Sequence, residues 1–151
     1  MENVEIGAGL VAFGQRFHPP CLTTDIQLLP GIALVTDGHH LALKSTEFSA
    51  VILCNPYRYG FVREAGKALM RELVRVLRPG GTIIVIGNSR NGYCQFDRIR
   101  RIAESLFADG VSLDVQSRDI SAAEMFPGHE FHTVDGSTTV PDVEIRVRVQ
   151  P

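Results

Sequence analysis

The fold is decided at the start of the chain, in the stretch Asn3-Val4-Glu5-Ile6-Gly7-Ala8-Gly9-Leu10-Val11-Ala12. A short apolar run containing one acid leads directly into two closely spaced glycines, and an apolar segment follows as far as Phe17. A strand that enters a glycine-rich turn before a helix presents backbone N–H groups to an anionic or polar ligand. Because Gly7 and Gly9 lack a Cβ, a ligand can approach the backbone closely. This pattern predicts a nucleotide-binding loop, with an ordinary strand-to-helix turn as the alternative.

Predicted strands and helices alternate along the rest of the chain. Strands are predicted over residues 4–7, 21–26, 32–36, 50–54, 82–86, 112–117 and 143–149. Helices are predicted over 10–17, 61–78 and 96–108, and a short helix or irregular segment over 41–48. Continuous apolar strands are typical of parallel sheets, whereas the last two strands alternate apolar and polar residues. We therefore predict a single domain over 1–151, a three-layer Rossmann-like α/β sandwich whose mostly parallel sheet has a C-terminal antiparallel strand.

The amino-acid composition excludes several classes of partner and site. The chain has 151 residues, 44% hydrophobic and 21% charged, with a net charge of -2. A charge so close to zero gives no general field for nucleic acid or for a membrane surface. Three cysteines without a CxxC pair predict reduced thiols, and the spacing of histidines and acids predicts no metal site. The acidic start and the lack of a long apolar stretch predict a cytoplasmic protein.

Polar residues follow several of the predicted strands, where ligands of open α/β sheets bind. Asp25 ends the second strand, where an acid can accept hydrogen bonds from both hydroxyls of a ribose. Asp37 ends the third strand, within reach of an adenine amino group. Each acid has a structural alternative as a turn or cap residue. The segment 88–90 follows the fifth strand and belongs to the same predicted edge.

Asn55-Pro56-Tyr57 follows the fourth strand and is the sharpest chemical signal. The Asn55 amide oxygen and the Pro56 carbonyl can both accept hydrogen bonds from one amino group, and proline contributes a fixed φ and no competing N–H. Tyr57 can stack on a flat substrate or on a sulfonium. An unremarkable exit from the strand is the alternative explanation.

Other polar residues give weaker signals. His39 and His40 are expected in a loop near the ligand, where either could act as a base. Arg58, Arg63 and Arg90 could bind an anionic substrate or lie on a solvated surface. The chain has no nucleophile elbow, Walker loop or kinase motif, which argues against hydrolase and phosphotransferase chemistry.

Taken together, these motifs resemble those of the class I S-adenosylmethionine-dependent methyltransferases. Residues 4–9 are similar to the first motif of that family, Asp37-Gly38 to its adenine-contacting motif, and Asn55-Pro56-Tyr57 to a shortened form of its Asn/Asp-Pro-Pro-Tyr motif. The most specific likeness is Glu72-Leu73-Val74-Arg75-Val76-Leu77-Arg78-Pro79-Gly80-Gly81-Thr82-Ile83-Ile84-Val85, a helix–turn–strand scaffold.

The resemblance implies that S-adenosylmethionine is the cofactor and that its methyl group passes to an unidentified acceptor, with an amino nitrogen as one candidate. The cofactor-binding residues it implies are Glu5, Gly7, Ala8, Gly9, Asp25, Ile26, Asp37, Gly38 and Asn55. Asn55, Pro56 and Tyr57 would be the catalytic residues.

Two alternatives stay open: an NAD(P)-binding Rossmann oxidoreductase, since Gly7-x-Gly9-x-x-Ala12 also fits a dinucleotide fingerprint, and a catalytically inactive methyltransferase-fold binding protein. The helices that usually precede the first strand are missing. We therefore expect a minimal enzyme, a part of a larger parent protein that could be a secreted toxin, or a homo-oligomer.

Overall fold

A seven-stranded sheet forms the centre of the computed structural model, which describes residues 1–132 and 138–151. The strands are β1 (Asn3–Glu5), β2 (Cys21–Asp25), β3 (Leu34–Val35), β4 (Phe48–Cys54), β5 (Leu77–Gly87), β6 (Leu113–Asp119) and β7 (Val143–Val149). Their spatial order is β3-β2-β1-β4-β5-β7-β6. The first five strands pair in parallel, whereas β7 is antiparallel to both β5 and β6. The predicted fold class is confirmed.

The larger core lies on one face of the sheet, under the two long helices α2 (Arg63–Val76) and α3 (Phe96–Leu106). Alternate residues of the central strands point to this face, so that Val51, Ile83 and Ile145 are almost fully buried. The apolar residues of α2 recur every three or four positions, which places Leu69 and Leu73 on the same buried stripe.

The opposite face is covered by the short helices α1 (Phe13–Phe17) and α4 (Ala122–Met125). Its core is an aromatic cluster in which the Phe13 ring meets Phe126 edge-on at 4.8 Å between centroids and packs near Phe131 at 6.0 Å. This arrangement ties the start of the chain to the segment between β6 and β7. The three layers are therefore present, but the second helical layer is thin.

Several predicted boundaries are corrected by the structure. α1 begins at Phe13 rather than at residue 10, because residues 10–12 continue the loop. α2 begins at Arg63 and ends at Val76, so Pro79 and its two glycines do not end a helix. They form a bulge inside β5, since Phe48 pairs with Leu77 but Ala50 pairs with Thr82.

Other corrections are smaller. β1 ends two residues before Gly7, and β3 is only Leu34–Val35. Residues 41–47 are irregular, which agrees with one of the two alternatives predicted for that segment. In the part of the chain that the structure describes, no helix combines the length and apolar composition that crossing a bilayer needs. The same described residues hold no cluster of three or more His, Cys, Asp or Glu side chains that could bind a metal.

Candidate functional site

The candidate site is a cavity of about 920 Å³ beyond the carboxyl ends of β1 to β4, hereafter the large cavity. It is lined by residues 5–11, 25–27, 29, 36–39, 54–55, 57–59 and 129–132. The predicted cofactor residues therefore converge on one space, and Ile26 adds an apolar side chain that is 64% exposed. A cavity of this size with an apolar rim and a few convergent polar groups is typical of a small-molecule site.

The two glycines of the first loop have different structural reasons to be glycine. Both have a left-handed backbone, with φ of 69° at Gly7 and 65° at Gly9. A Cβ on Gly7 would collide with Tyr59, whose hydroxyl donates a hydrogen bond to the Ile6 carbonyl (3.1 Å). A Cβ on Gly9 would meet nothing within 4 Å. The backbone at Gly9 is therefore open to the cavity and to a ligand.

Asp25 connects the end of β2 to this loop. The Gly9 N–H donates to Asp25 Oδ2 (3.0 Å), and the Gln27 N–H donates to Asp25 Oδ1 (2.9 Å). Each carboxylate oxygen can accept more than one hydrogen bond, so both oxygens keep capacity for a ligand hydroxyl. Asp25 thus orients the loop and still offers two acceptors to the large cavity.

Asp37 orients His39 at the far side of the cavity. Asp37 Oδ1 lies 2.9 Å from both the backbone nitrogen and the ring Nδ1 of His39. These hydrogen bonds, the backbone one first, hold the pKa of Asp37 below its usual range. An ionised carboxylate only accepts, so the Nδ1 that faces it carries a proton and donates the hydrogen bond. Among the described residues, the buried Nε2 of the same ring has no hydrogen-bond partner.

Glu5 is a buried acid at the base of the cavity, with a relative exposure of 1%. Its Oε2 accepts a hydrogen bond from the Gly14 N–H (2.7 Å), which connects β1 to the first turn of α1. Burial raises the pKa of Glu5 to about 7, although the hydrogen bond from Gly14 favours the ionised form. Glu5 is therefore a structural residue of the cavity floor that titrates near neutral pH.

This titration predicts a pH-dependent contribution to stability. The folded-state pKa of Glu5 is raised above the unfolded value of 4.5. Its contribution is complete below about pH 4.5 and is lost as the pH rises through 7. Relative to Glu5→Gln, we expect the wild-type free energy of unfolding to fall by about 2 kcal/mol between pH 5 and pH 8.

Urea unfolding of both proteins at the two pH values measures this difference. Burial lowers the pKa of His18 and of His129, which act in the opposite direction in the same range, but both are common to the two proteins and cancel. A pH dependence that is the same in wild type and Glu5→Gln would contradict the assignment.

Asn55 has a left-handed backbone, with φ of 51°, and its side chain is buried at the end of β4. The two acceptors assigned to a substrate amine already have a donor. Asn91 Nδ2 donates to the Pro56 carbonyl (2.7 Å) and lies 3.5 Å from Asn55 Oδ1. Asn91 Oδ1 in turn accepts from the Tyr93 N–H (3.0 Å).

These contacts determine how both amides are turned. The Pro56 carbonyl and the Tyr93 N–H fix the orientation of the Asn91 amide. Because Asn91 Nδ2 is a donor, the atom of Asn55 that faces it is the acceptor Oδ1. Asn55 Nδ2 is consequently buried without a partner among the described residues, on a side chain that lines the large cavity. Pro56 itself does not line the cavity.

Other predicted residues are divided between the site and its surroundings. Tyr57 lines the large cavity and packs edge-on against Tyr93 at 5.5 Å between ring centroids. His40 lies outside the lining, as does the segment 88–90. That segment instead joins the start of β7, because the Ser89 N–H donates to Asp142 Oδ1 (2.7 Å).

Three contributors to the site were missed by sequence reasoning. Residues 129–132 line the cavity although they lie between β6 and β7, far along the chain. The length of that connection was a usable signal, since long ordered loops are often functional. No sequence pattern distinguished Tyr59, which covers Gly7, or Asn91, which caps the Pro56 carbonyl.

Solved structures with the same architecture cover nearly the whole chain. A SAM-dependent methyltransferase from Archaeoglobus fulgidus aligns with 99% of this chain and 86% of its own, at 11% identity and a TM-score of 0.65. A SAM-dependent methyltransferase from Thermotoga maritima aligns with 99% and 82%, at 15% identity and a TM-score of 0.59.

A third neighbour was solved with ligands. It is the 1,6-didemethyltoxoflavin-N1-methyltransferase of Burkholderia thailandensis, with bound 1,6-didemethyltoxoflavin and S-adenosylhomocysteine. It aligns with 99% of this chain and 71% of its own, at 13% identity and a TM-score of 0.61. These structural likenesses show that the chain has the Rossmann-like fold of the class I SAM-dependent methyltransferases. No family model matches the sequence, and no curated protein matches it.

Proposed function

We propose that this protein is an S-adenosylmethionine-dependent methyltransferase that binds its cofactor in the large cavity. The observation that carries the proposal is the convergence of the Gly7–Gly9 turn, Asp25 and Asp37 on that cavity. The methyltransferase fold supports the same conclusion at the level of architecture.

The lining suits the three parts of the cofactor. The open backbone at Gly9 would meet the methionine part, and the free lone pairs of Asp25 would accept from the ribose hydroxyls. The exposed apolar side chains of Leu10 and Ile26 would cover the adenine, with Asp37 and Gly38 at its edge. Bound S-adenosylmethionine supplies an electrophilic methyl on sulfur, so the protein contributes mainly by holding the reacting atoms close and aligned.

An amino nitrogen is the acceptor that Asn55 and Pro56 suggest, and the structure adds a condition to it. The amine would take the place of Asn91 Nδ2, which already makes the hydrogen bonds expected of a substrate amino group. The Asn91 side chain would then have to turn away when the substrate binds. Tyr57 would pack on the substrate from the adjacent cavity wall.

His39 would be a general base that deprotonates the nucleophile. Its Nε2 can accept a proton from a hydroxyl or from an ammonium group, while Asp37 holds the ring and stabilises the imidazolium. His39 lines the large cavity, but its Nε2 is buried, so the ring would have to turn before an acceptor near Asn55 and Tyr59 could reach that nitrogen.

Turnover with methyl-labelled S-adenosylmethionine and a panel of amines and hydroxyl compounds tests the proposal. We expect acceptor-dependent formation of S-adenosylhomocysteine, reduced about 100-fold in Asn55→Ala because misplaced reactants lose rate steeply. Asn88→Ala is the matched control, since Asn88 follows the neighbouring strand and lies outside the cavity. Cofactor binding without transfer to any compound would instead support an inactive binding protein.

A further inference from the structure

A second cavity of about 510 Å³ lies beside the large one and is strongly basic. Three arginines line it, each from a different segment: Arg58 from the connection after β4, Arg63 from the first turn of α2, and Arg98 from the first turn of α3. The lining includes no aspartate or glutamate. We call this space the arginine cavity.

In the described part of the chain, these three guanidinium groups have no carboxylate partner. Within residues 1–132 and 138–151, none of them lies in a salt bridge, and Arg98 donates only to the Gly92 carbonyl (3.0 Å). Arginines elsewhere on the surface do pair, as Arg71 does with Asp109 and Arg100 with Glu104. The positive charge of the arginine cavity is therefore not neutralised by the fold.

The local backbone adds to this field. The 14-residue helix α2 begins at the cavity, and no side chain caps its first N–H groups, so the positive end of its dipole faces the same space. Arg58 and Arg63 both have left-handed backbones, with φ of 65° and 59°. Such conformations are costly for any residue with a Cβ and often occur where a site constrains the backbone.

The arginine cavity adjoins the proposed cofactor site. His39, Arg58 and Tyr59 line both spaces. A molecule bound in the arginine cavity would have to extend past these side chains to reach Asn55 and the large cavity. With a net charge of -2 the chain has no general basic field, so this local group of arginines favours a small anion over a long nucleic acid.

We propose that the methyl acceptor carries an oxyanion group, a phosphate or a carboxylate, which binds in the arginine cavity while its nucleophilic atom reaches the large cavity. This proposal rests on the proposed function, because the bound molecule is a methyl acceptor only if the protein is a methyltransferase. The binding of the oxyanion group itself depends only on Arg58, Arg63 and Arg98. Planar guanidinium groups suit both anions because they donate two parallel hydrogen bonds.

The proposal is tested by recording ¹H–¹⁵N correlation spectra of the full chain while inorganic pyrophosphate or citrate is added at constant ionic strength. We expect saturable shifts at Gly60, Gly92 and Tyr93 with at least one of the two anions, and the stronger binder identifies the group. Arg63→Ala and Arg98→Ala should each weaken binding about fivefold or more. Arg101→Ala, exposed on α3 outside the cavity, should leave it unchanged.

The outcomes separate this proposal from the proposed function. Arg63 and Arg98 do not line the large cavity, so S-adenosylhomocysteine should bind both variants with wild-type affinity. If S-adenosylhomocysteine binds but neither anion saturates, or if Arg101→Ala weakens binding as much as Arg63→Ala, the anion site is overturned. If the anions bind but S-adenosylhomocysteine does not, the methyltransferase function is overturned instead.

Discussion

Replacing Gly7 with alanine is expected to lower the free energy of unfolding by about 3 kcal/mol or more. The left-handed backbone at this position costs a non-glycine residue roughly 1–2 kcal/mol. The new Cβ would also lie 2.6 Å from Tyr59 Cζ and closer still to the hydroxyl, so the ring would have to move. Overpacking of this kind adds about 1–3 kcal/mol. Urea unfolding followed by circular dichroism measures the sum.

Gly9→Ala is the matched control, because Gly9 has nearly the same φ but open space around its Cα. Gly9→Ala should lower the free energy of unfolding only by the cost of a left-handed backbone, about 1–2 kcal/mol. A double-mutant cycle with Tyr59→Ala isolates the collision, since Gly7→Ala should cost no more than Gly9→Ala once the ring is removed. Equal destabilisation by Gly7→Ala and Gly9→Ala in the wild-type background would contradict the role of Tyr59.

Asp25→Ala is expected to weaken the binding of S-adenosylhomocysteine by about 100-fold or more. The variant loses both acceptors for the ribose hydroxyls, and hydrogen bonds to a charged group are worth about 1.5–3 kcal/mol each. It also releases the Gly9 N–H that holds the loop, so the backbone donors there lose their fixed direction. Calorimetric titration of the folded variant measures the loss.

Two further variants locate the cause of that loss. Asp25→Asn keeps one oxygen that can accept from Gly9 but loses the charge and the second acceptor, so its affinity should lie between wild type and Asp25→Ala. Asp109→Ala removes an exposed carboxylate that pairs with Arg71 far from the cavity, and should bind as wild type does. An Asp25→Ala protein with unchanged affinity would show that the ribose lies elsewhere.

Much of this fold could be predicted because its signals are local. The continuous apolar runs of β4 and β5 indicated buried parallel strands, and the alternation in β6 and β7 indicated a polar sheet face. The placement of Asp25 and Asp37 followed from the rule that parallel strands end at one sheet edge. Boundaries were less predictable where tertiary pairing decided them, as at Pro79, which the pairing of β4 with β5 keeps within a strand.

The parts of the site that could not be predicted depend on contacts between distant residues. Asn91 and Pro56 are 35 residues apart, and nothing in either neighbourhood indicates that their polar groups meet. Phe131 packs near Phe13, although the two residues lie at opposite ends of the chain's order of elements, before β2 and after β6. The choice between a methyltransferase and an oxidoreductase was similarly ambiguous in the glycine loop, whereas the reversed β7 departs from the parallel dinucleotide-binding sheet.

Calorimetric titration of the wild-type chain with S-adenosylhomocysteine, and separately with NADH, tests the central claim most directly. The large cavity is predicted to bind S-adenosylhomocysteine saturably with one-to-one stoichiometry and to show no saturable heat with NADH. Saturable binding of NADH by the folded protein, with no binding of S-adenosylhomocysteine at millimolar concentration, would contradict the account.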